Sequence, residues 1–288
     1  MIPIVGGWTR TRCKPQSFVP RTQRHAQSPA VRPVGQPLLK ITGLHKSFAG
    51  VKVLDGLDLE LPEGQTTVVL GPSGCGKSVM LKHIVGLIRA DAGEIWFANR
   101  RIDTLSERQM KDVRLRIALL FQMGALFDSM TVAENLAFPL LEHMQWSAQR
   151  RADEVAEALE MVDMAGTQNK LPAELSGGQR KRVALARAFI LRPSVILYDE
   201  PTTGLDPIRA KGIDELVGRL KNRLGVTSLV VTHDLVSAKR IADRIVMINA
   251  GRVVAEGTYD ELSRRKDGYI QRFFEAAGAG VLEPEDLT

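Results

Sequence analysis

The sequence predicts a doubly wound α/β fold, and three observations predict it. Short apolar runs at Thr66–Leu70, Val195–Tyr198, Ser228–Thr232 and Arg244–Ile248 lack the alternation of a half-exposed strand and read as strands buried on both faces of a parallel sheet. Helical segments at Lys77–Ile88, Val132–Leu141, Ala148–Met164 and Gln179–Leu191 punctuate them, which gives the strand–helix alternation of such a sheet. A glycine-rich loop joins the strand Thr66–Leu70 to the helix that follows it.

The remaining elements follow in chain order. Residues 1–37 carry Pro3, Pro15, Pro20, Pro29, Pro33 and Pro37 among Arg, Gln and Ser, with no period of two or 3.6, and read as a disordered leader. A translation start placed too far upstream, a transit peptide or a segment touching anionic lipid would look the same. Leu38–Thr42 and Leu57–Leu61 alternate as half-exposed strands do, and Ile117–Phe121 reads as a strand. Residues of about 122–175 read as a helical layer that interrupts the alternation, and Pro193 ends the helix Gln179–Leu191. The core domain is therefore expected over 38–265. Residues 266–288 add a short amphipathic helix, Asp267–Ala277, with Tyr269, Ile270, Phe273 and Phe274, and an acidic tail.

Charge and cysteine usage narrow the function classes. The 288 residues are 44% hydrophobic and 25% charged with a net charge of +6, but the charge is unevenly placed. Nine of the 39 Lys and Arg lie in residues 1–54, which hold none of the 33 Asp and Glu, leaving 30 basic against 33 acidic residues beyond them. The expected folded body is slightly acidic, which disfavours a nucleic-acid partner. No run of 18 apolar residues is present to span a bilayer, no secretory signal is recognisable, and Cys13 and Cys75 have neither disulfide nor zinc spacing.

Three motifs carry chemistry. Gly71-Pro72-Ser73-Gly74-Cys75-Gly76-Lys77-Ser78, followed by Val79, fits the phosphate-binding pattern G-x-x-x-x-G-K-[ST] in the strand–loop–helix context it requires. Glycines let successive backbone N–H groups turn inward at a helix N-terminus, Lys77 reaches the β- and γ-phosphates, and Ser78 suits a Mg²⁺ ligand. Val195-Ile-Leu-Tyr-Asp199-Glu200 is a buried strand ending in two carboxylates, one for the metal shell (Asp199) and one to activate the attacking water (Glu200). Leu175-Ser176-Gly177-Gly178-Gln179 opens a helix with two glycines and makes a second anion-binding terminus. One nucleotide does not need two cradles from one chain, so two chains arranged head-to-tail are expected to share them.

These motifs, in this order, resemble the ABC ATPase family over roughly residues 38–265. The resemblance implies an ATP- and Mg²⁺-dependent hydrolase in which an antiparallel β subdomain and a helical subdomain flank a mostly parallel core sheet. It implies roles at matching positions: Gln122 on Mg²⁺ and the membrane partner, His233 at the γ-phosphate, Asp206 in Gly204-Leu-Asp206-Pro coupling two sites across the dimer, and Phe48 stacked on adenine. Ser176, Gly177, Gly178 and Gln179 would act in trans, while Lys77, Gln122, Glu200 and His233 form the catalytic set and Ser78, Gln122 and Asp199 hold the metal.

Two stretches resemble a narrower group, the ATPases of Mla/Mce-type phospholipid transport systems: Gly76–Gly86, and Phe121–Leu140, whose apolar run Gly124–Phe127 would receive a permease. Many members of that group carry Met where this chain has Gln179. The resemblance implies a second copy of the chain, separate integral membrane permease subunits and an Mce-type lipid-binding protein as partners, at the cytoplasmic face of the inner membrane. A cassette serving another cargo, such as amino acids or ions, and a soluble ABC ATPase outside transport are the alternatives.

Overall fold

The structure, a computed structural model, describes residues 37–122, 124–266 and 268–276. The leader as far as residue 36 and the acidic tail from 277 onward lie outside the described residues. The chain runs β1 (Leu39–Phe48), β2 (Val51–Leu61), β3 (Thr66–Leu70), α1 (Lys77–Ile84), β4 (Ala92–Phe97), β5 (Arg100–Arg101), α2 (Glu107–Arg114) and β6 (Ile117–Leu120). It continues through α3 (Val132–His143), α4 (Ala148–Met161), a 3₁₀ turn at Pro172–Glu174, α5 (Gly177–Phe189), β7 (Val195–Asp199), α6 (Pro207–Leu224) and β8 (Thr227–Thr232). It ends with α7 (Leu235–Ile241), β9 (Arg244–Asn249), β10 (Arg252–Gly257), α8 (Tyr259–Ser263) and α9 (Gly268–Ala276).

The strands form two sheets. One is six-stranded in the order β10-β9-β3-β8-β7-β6, parallel from β9 to β6 with β10 antiparallel at the edge. The other, β2-β1-β4-β5, is antiparallel. Every residue of β3, β7 and β8 is buried, as runs without alternation require when both faces are covered. Side chains still alternate between faces. Val68 and Leu70 join a core with α3 to α9, whereas Val69 joins the core shared with α1, α2 and the antiparallel sheet. Each fully buried Val, Leu or Ile in these layers stabilises the fold by about 1.5–3 kcal/mol.

Parallel pairing also positions the site. Leu70 pairs with Thr232, Tyr198 with Leu120, and Asp199 with Val231, so β3, β6, β7 and β8 all end at one edge of the sheet. Ligand sites of such sheets lie outside the carboxyl ends of their strands.

Three helices stop short of their expected ends for a backbone reason. Gly86 follows α1 at φ +69° and Asp163 follows α4 at φ 58°, left-handed conformations that a continuing helix does not contain, and α5 runs only to Phe189, with Arg192 at φ 52°. Within the helical layer, the stretch before α3 is a loop, with Gly124 at φ +79° and Ala125 at φ 48°. Buried Asn135 replaces the ladder bonds there: its Nδ2 donates to the carbonyls of Phe127, Met130 and Thr131 at 3.0–3.1 Å, and its Oδ1 accepts from Phe127 N at 2.8 Å and Arg187 at 3.2 Å. At the other end, α9 folds back onto its own chain, burying Ile270 and Phe274, with the Phe274 ring 5.5 Å from that of Tyr259.

Asn135→Ala strands several buried backbone groups, so we expect a loss of about 1–3 kcal/mol in equilibrium denaturation. Amide exchange should quicken first at Phe127; unchanged protection there would contradict the pinning role of Asn135.

Candidate functional site

The loop Gly71–Gly76 owes its shape to close backbone approach. A Cβ on Gly71 would lie 2.3 Å from the Ile248 carbonyl oxygen. One on Gly76 would lie 2.8 Å from the Val53 carbonyl, at φ +101°. Larger residues fit neither position. The same contact brings the β1–β2 hairpin beside the loop. At its turn Phe48 is 43% exposed and leaves a ring face to solvent, with the Lys46 ammonium 5.3 Å from the ring centroid.

Helix α1 begins without a side-chain cap and without an acidic residue in its first turn. Helices α3, α4, α5, α6 and α7 begin instead on Thr131, Ser147, Ser176, Asp206 and Asp234, each accepting a first-turn N–H. The uncapped donors of α1 and its positive dipole end are therefore left for an external anion. Buried Lys77 donates to the Gly71 and Pro72 carbonyls at 2.7 and 3.0 Å and lies 3.8 Å from Glu200. Cys75 is buried in the same loop, and burial raises its thiol pKa. Pro72, Ser73 and Gly74 are exposed, and Ser78 and Val79 half-buried.

The end of β7 faces this loop. Ser78 Oγ donates to Asp199 Oδ1 at 2.6 Å. Burial holds the Asp199 carboxyl above its ordinary pKa; the Ser78 hydrogen bond opposes that shift and the neighbouring Glu200 charge adds to it. Glu200 adopts φ 49°, a left-handed conformation costing a non-glycine residue about 1–3 kcal/mol. Its surroundings hold it there: Glu200 N donates to the Val231 carbonyl at 3.0 Å, Thr203 Oγ1 donates to Glu200 Oε2 at 3.0 Å, and His233 Nδ1 lies 2.9 Å from the same oxygen. Thr232 Oγ1 stands 3.5 Å from Glu200 Oε2 and accepts from Asp234 N at 3.1 Å. That link continues through Asp234 and Ser237 to buried Asp214, which pairs with the Arg240 guanidinium at its outer side.

Lys77, Ser78, Asp199, Glu200 and His233 thus form one cluster. Gln122 stands beside it, two residues past Leu120 in the strand next to β7, with an exposed side chain that makes no hydrogen bond to Asp199 or Glu200. The segment Ser176–Gln179 is elsewhere. Ser176 is exposed and exchanges capping bonds with Gln179, Ser176 N to Oε1 at 2.9 Å and Gln179 N to Oγ at 3.3 Å. Asp206 caps α6, accepting from Arg209 N at 3.0 Å.

Several participants escaped the sequence reading. Thr203 and Thr232 brace Glu200, and Lys181 on α5 donates to the carbonyls of Pro201 and Thr203 at 2.8 and 2.7 Å. The available signal was spacing: Lys181 lies four residues after Gly177, hence on the same helix face.

A cluster joining a lysine-bearing phosphate loop to a hydroxyl, two carboxylates and a histidine has the parts of phosphoryl-transfer chemistry. Residues 54–203 match the family model described as "ABC transporter". The chain is 38% identical over 249 residues to the intermembrane phospholipid transport system ATP-binding protein MlaF of Haemophilus influenzae, covering 86% of this chain and 94% of that protein. It is 37% identical over 244 residues to the probable ribonucleotide transport ATP-binding protein mkl of Mycobacterium leprae, covering 85% of this chain and 70% of that protein. Its structure matches the dimeric, post-hydrolysis ATP-binding cassette MJ0796 bound to ADP and Pi with a TM-score of 0.72, at 32% identity, over 77% of this chain and 98% of that one. The chain belongs to the ABC transporter family, as an ATP-binding, ATP-hydrolysing cassette.

Proposed function

We propose that the chain drives phospholipid transport between membranes, hydrolysing Mg²⁺-ATP as a head-to-tail dimer beneath separate permease subunits on the cytoplasmic face of the membrane. An Mce-type lipid-binding protein completes the assembly. The cargo reading is supported by likeness to MlaF of Haemophilus influenzae and, at 39% identity over 86% of that protein, of Escherichia coli. A nucleotide cargo is the second reading, favoured by likeness to mkl. Among the described residues no helix is long and apolar enough to cross a membrane, which fits a chain that borrows its channel. Residues 38–265 form the cassette, with 122–175 as its permease-facing layer.

The observation that carries the dimer is that neither signature glycine is packed tightly enough to exclude a side chain. A Cβ on Gly177 would meet only Leu205, at 4.0 Å, and one on Gly178 only the Arg209 side chain, at 3.5 Å. Neither glycine has the positive φ that would demand it. Packing within the chain therefore does not require them. A triphosphate held by another copy's Lys77 and approaching this helix terminus does.

Each step belongs to named groups. The uncapped N–H groups of α1 and the Lys77 ammonium bind the phosphates, Phe48 stacks on adenine, and Ser176–Gly178 of the second copy close over the γ-phosphate. Ser78 and Asp199, paired at 2.6 Å, fit Mg²⁺, a hard cation that takes few protein oxygens and keeps water and phosphate oxygens, with Gln122 beside them. The ion, when bound, neutralises charge on the phosphate oxygens. Glu200, held by Thr203 and His233, accepts the proton of the attacking water, and His233 follows the γ-phosphate. Asp206 lies at the contact between copies.

Glu200→Gln should lower kcat about 10²–10⁴-fold while an ATP-bound dimer accumulates in size-exclusion chromatography. Hydrolysis at the parental rate would rule out Glu200 as the base. Gly177→Ala should leave ATP binding by the monomer intact and the fold as stable or up to about 1 kcal/mol more so, because alanine is the better helix former. Its hydrolysis should fall at least about tenfold. With its membrane partners in vesicles, the protein should move labelled phospholipid only when Glu200 is intact. ATP-dependent transport of nucleotide rather than lipid would transfer the assignment to the second reading.

A further inference from the structure

We infer that Lys181 is a positioning residue that ties the chain's own signature helix to the turn carrying Glu200, so that closure of Ser176–Gly178 on one nucleotide sets the base acting on the other. The inference deepens the head-to-tail reading proposed above and rests on it.

The connection consists of short contacts over a few residues. Lys181 Nζ donates to the carbonyls of Pro201 and Thr203 at 2.8 and 2.7 Å. Thr203 in turn holds Glu200 twice, its N–H donating to the Glu200 carbonyl at 3.3 Å and its hydroxyl to Oε2 at 3.0 Å. On the same face of α5, a Cβ built on Gly177 would lie 4.0 Å from the Leu205 side chain at the far end of the turn, so the two segments are neighbours, and Leu205 N donates to the Thr202 carbonyl at 3.2 Å. Rigid motion of α5 is therefore passed to the turn 201–205 and, through Thr203, to the carboxylate.

The chemistry of Lys181 fits this role better than a purely structural one. Its ammonium is half-buried, and its two hydrogen bonds go to backbone carbonyls rather than to a carboxylate. Two carbonyl dipoles meet its charge, with Glu200 as the anion acting on it from further away. Burial lowers its pKa and the Glu200 charge raises it. A half-buried cation met by two carbonyls still loses part of its hydration, a cost that an apolar side chain bracing the same turn would avoid. The arrangement also explains how Glu200 stays at φ 49°: the turn that follows it is anchored from another element.

The test uses the full chain with Lys181→Met, Lys181→Arg and Gly177→Ala, measuring binding of a non-hydrolysable ATP analogue, kcat, the Hill coefficient for ATP and the melting temperature. Lys181→Met should bind the analogue within about twofold of the parent while kcat falls about tenfold or more. Its Hill coefficient should fall from above one towards one, because the sites no longer inform each other. Lys181→Arg, which can still donate to both carbonyls, should recover most of both. Parental kcat and cooperativity in Lys181→Met would overturn the inference, as would equal losses of analogue binding and melting temperature, the mark of a merely structural lysine. If Lys181→Met fails to fold, Lys181→Gln decides, because its amide reaches at most one carbonyl and should lose cooperativity. Failure of the underlying reading looks different: Gly177→Ala would then hydrolyse ATP normally, and the inference would fall with it.

Discussion

Two carboxylates in sequence at the end of a fully buried strand are the constraint on which the rest of the site depends. Asp199 and Glu200 are both close to fully buried, and adjacent negative charges in a poor solvent are unfavourable unless each is met by donors. Every neighbouring element supplies one. The helix after the phosphate loop brings Ser78 to Asp199. β8 and the loop beyond it bring Thr232 and His233 to Glu200, and Thr203 turns back on it. Lys77 stands 3.8 Å away with the nearest positive charge. Parallel strand order makes this convergence possible, because all these elements leave the sheet at the same edge.

Helix termini are used in two ways, and the contrast gives the site its polarity. Helices α5, α6 and α7 are capped by a side chain of their own, which satisfies one first-turn donor in each. Helix α1 is not. Its donors, the lysine behind them and the close-packed glycines at either end of the loop form a surface with an excess of positive potential opposite the carboxylates. In the proposed function a nucleoside triphosphate would bridge the two. The signature helix is an intermediate case: Ser176 takes one first-turn N–H, and exposed Ser176 and half-buried Gly177 stand at the terminus while Gly178 is buried behind them.

Stiffness is distributed accordingly. The core sheet is packed on both faces, whereas the loop before α3 is held largely by two side chains, Asn135 and Arg187, and the turn after Glu200 largely by Lys181 and Thr203. Segments held by a few polar contacts can change arrangement without disturbing the core, as the proposed cycle of closing and reopening would need.

The chain's own order of residues was enough to reveal the buried strands, the phosphate loop, the carboxylate pair and the glycine helix start. Each is a local pattern whose meaning comes from backbone geometry or from period: apolar runs without alternation, glycines before a lysine, two adjacent glycines opening a helix. What local pattern does not encode is which distant residues meet. Thr203, Thr232, Lys181, Asn135 and Arg187 are unremarkable in sequence, and they acquire their partners only when strands far apart in the chain are laid side by side. The short edge strand β5 is likewise set by its neighbour β4, whereas α2 carried a legible signal, Met110 and Val113 on one face after a Ser106–Gln109 cap, that went unread. Tertiary structure decided the polar contacts because hydrogen bonds of polar side chains depend on distance and direction in space, and sequence separation carries neither.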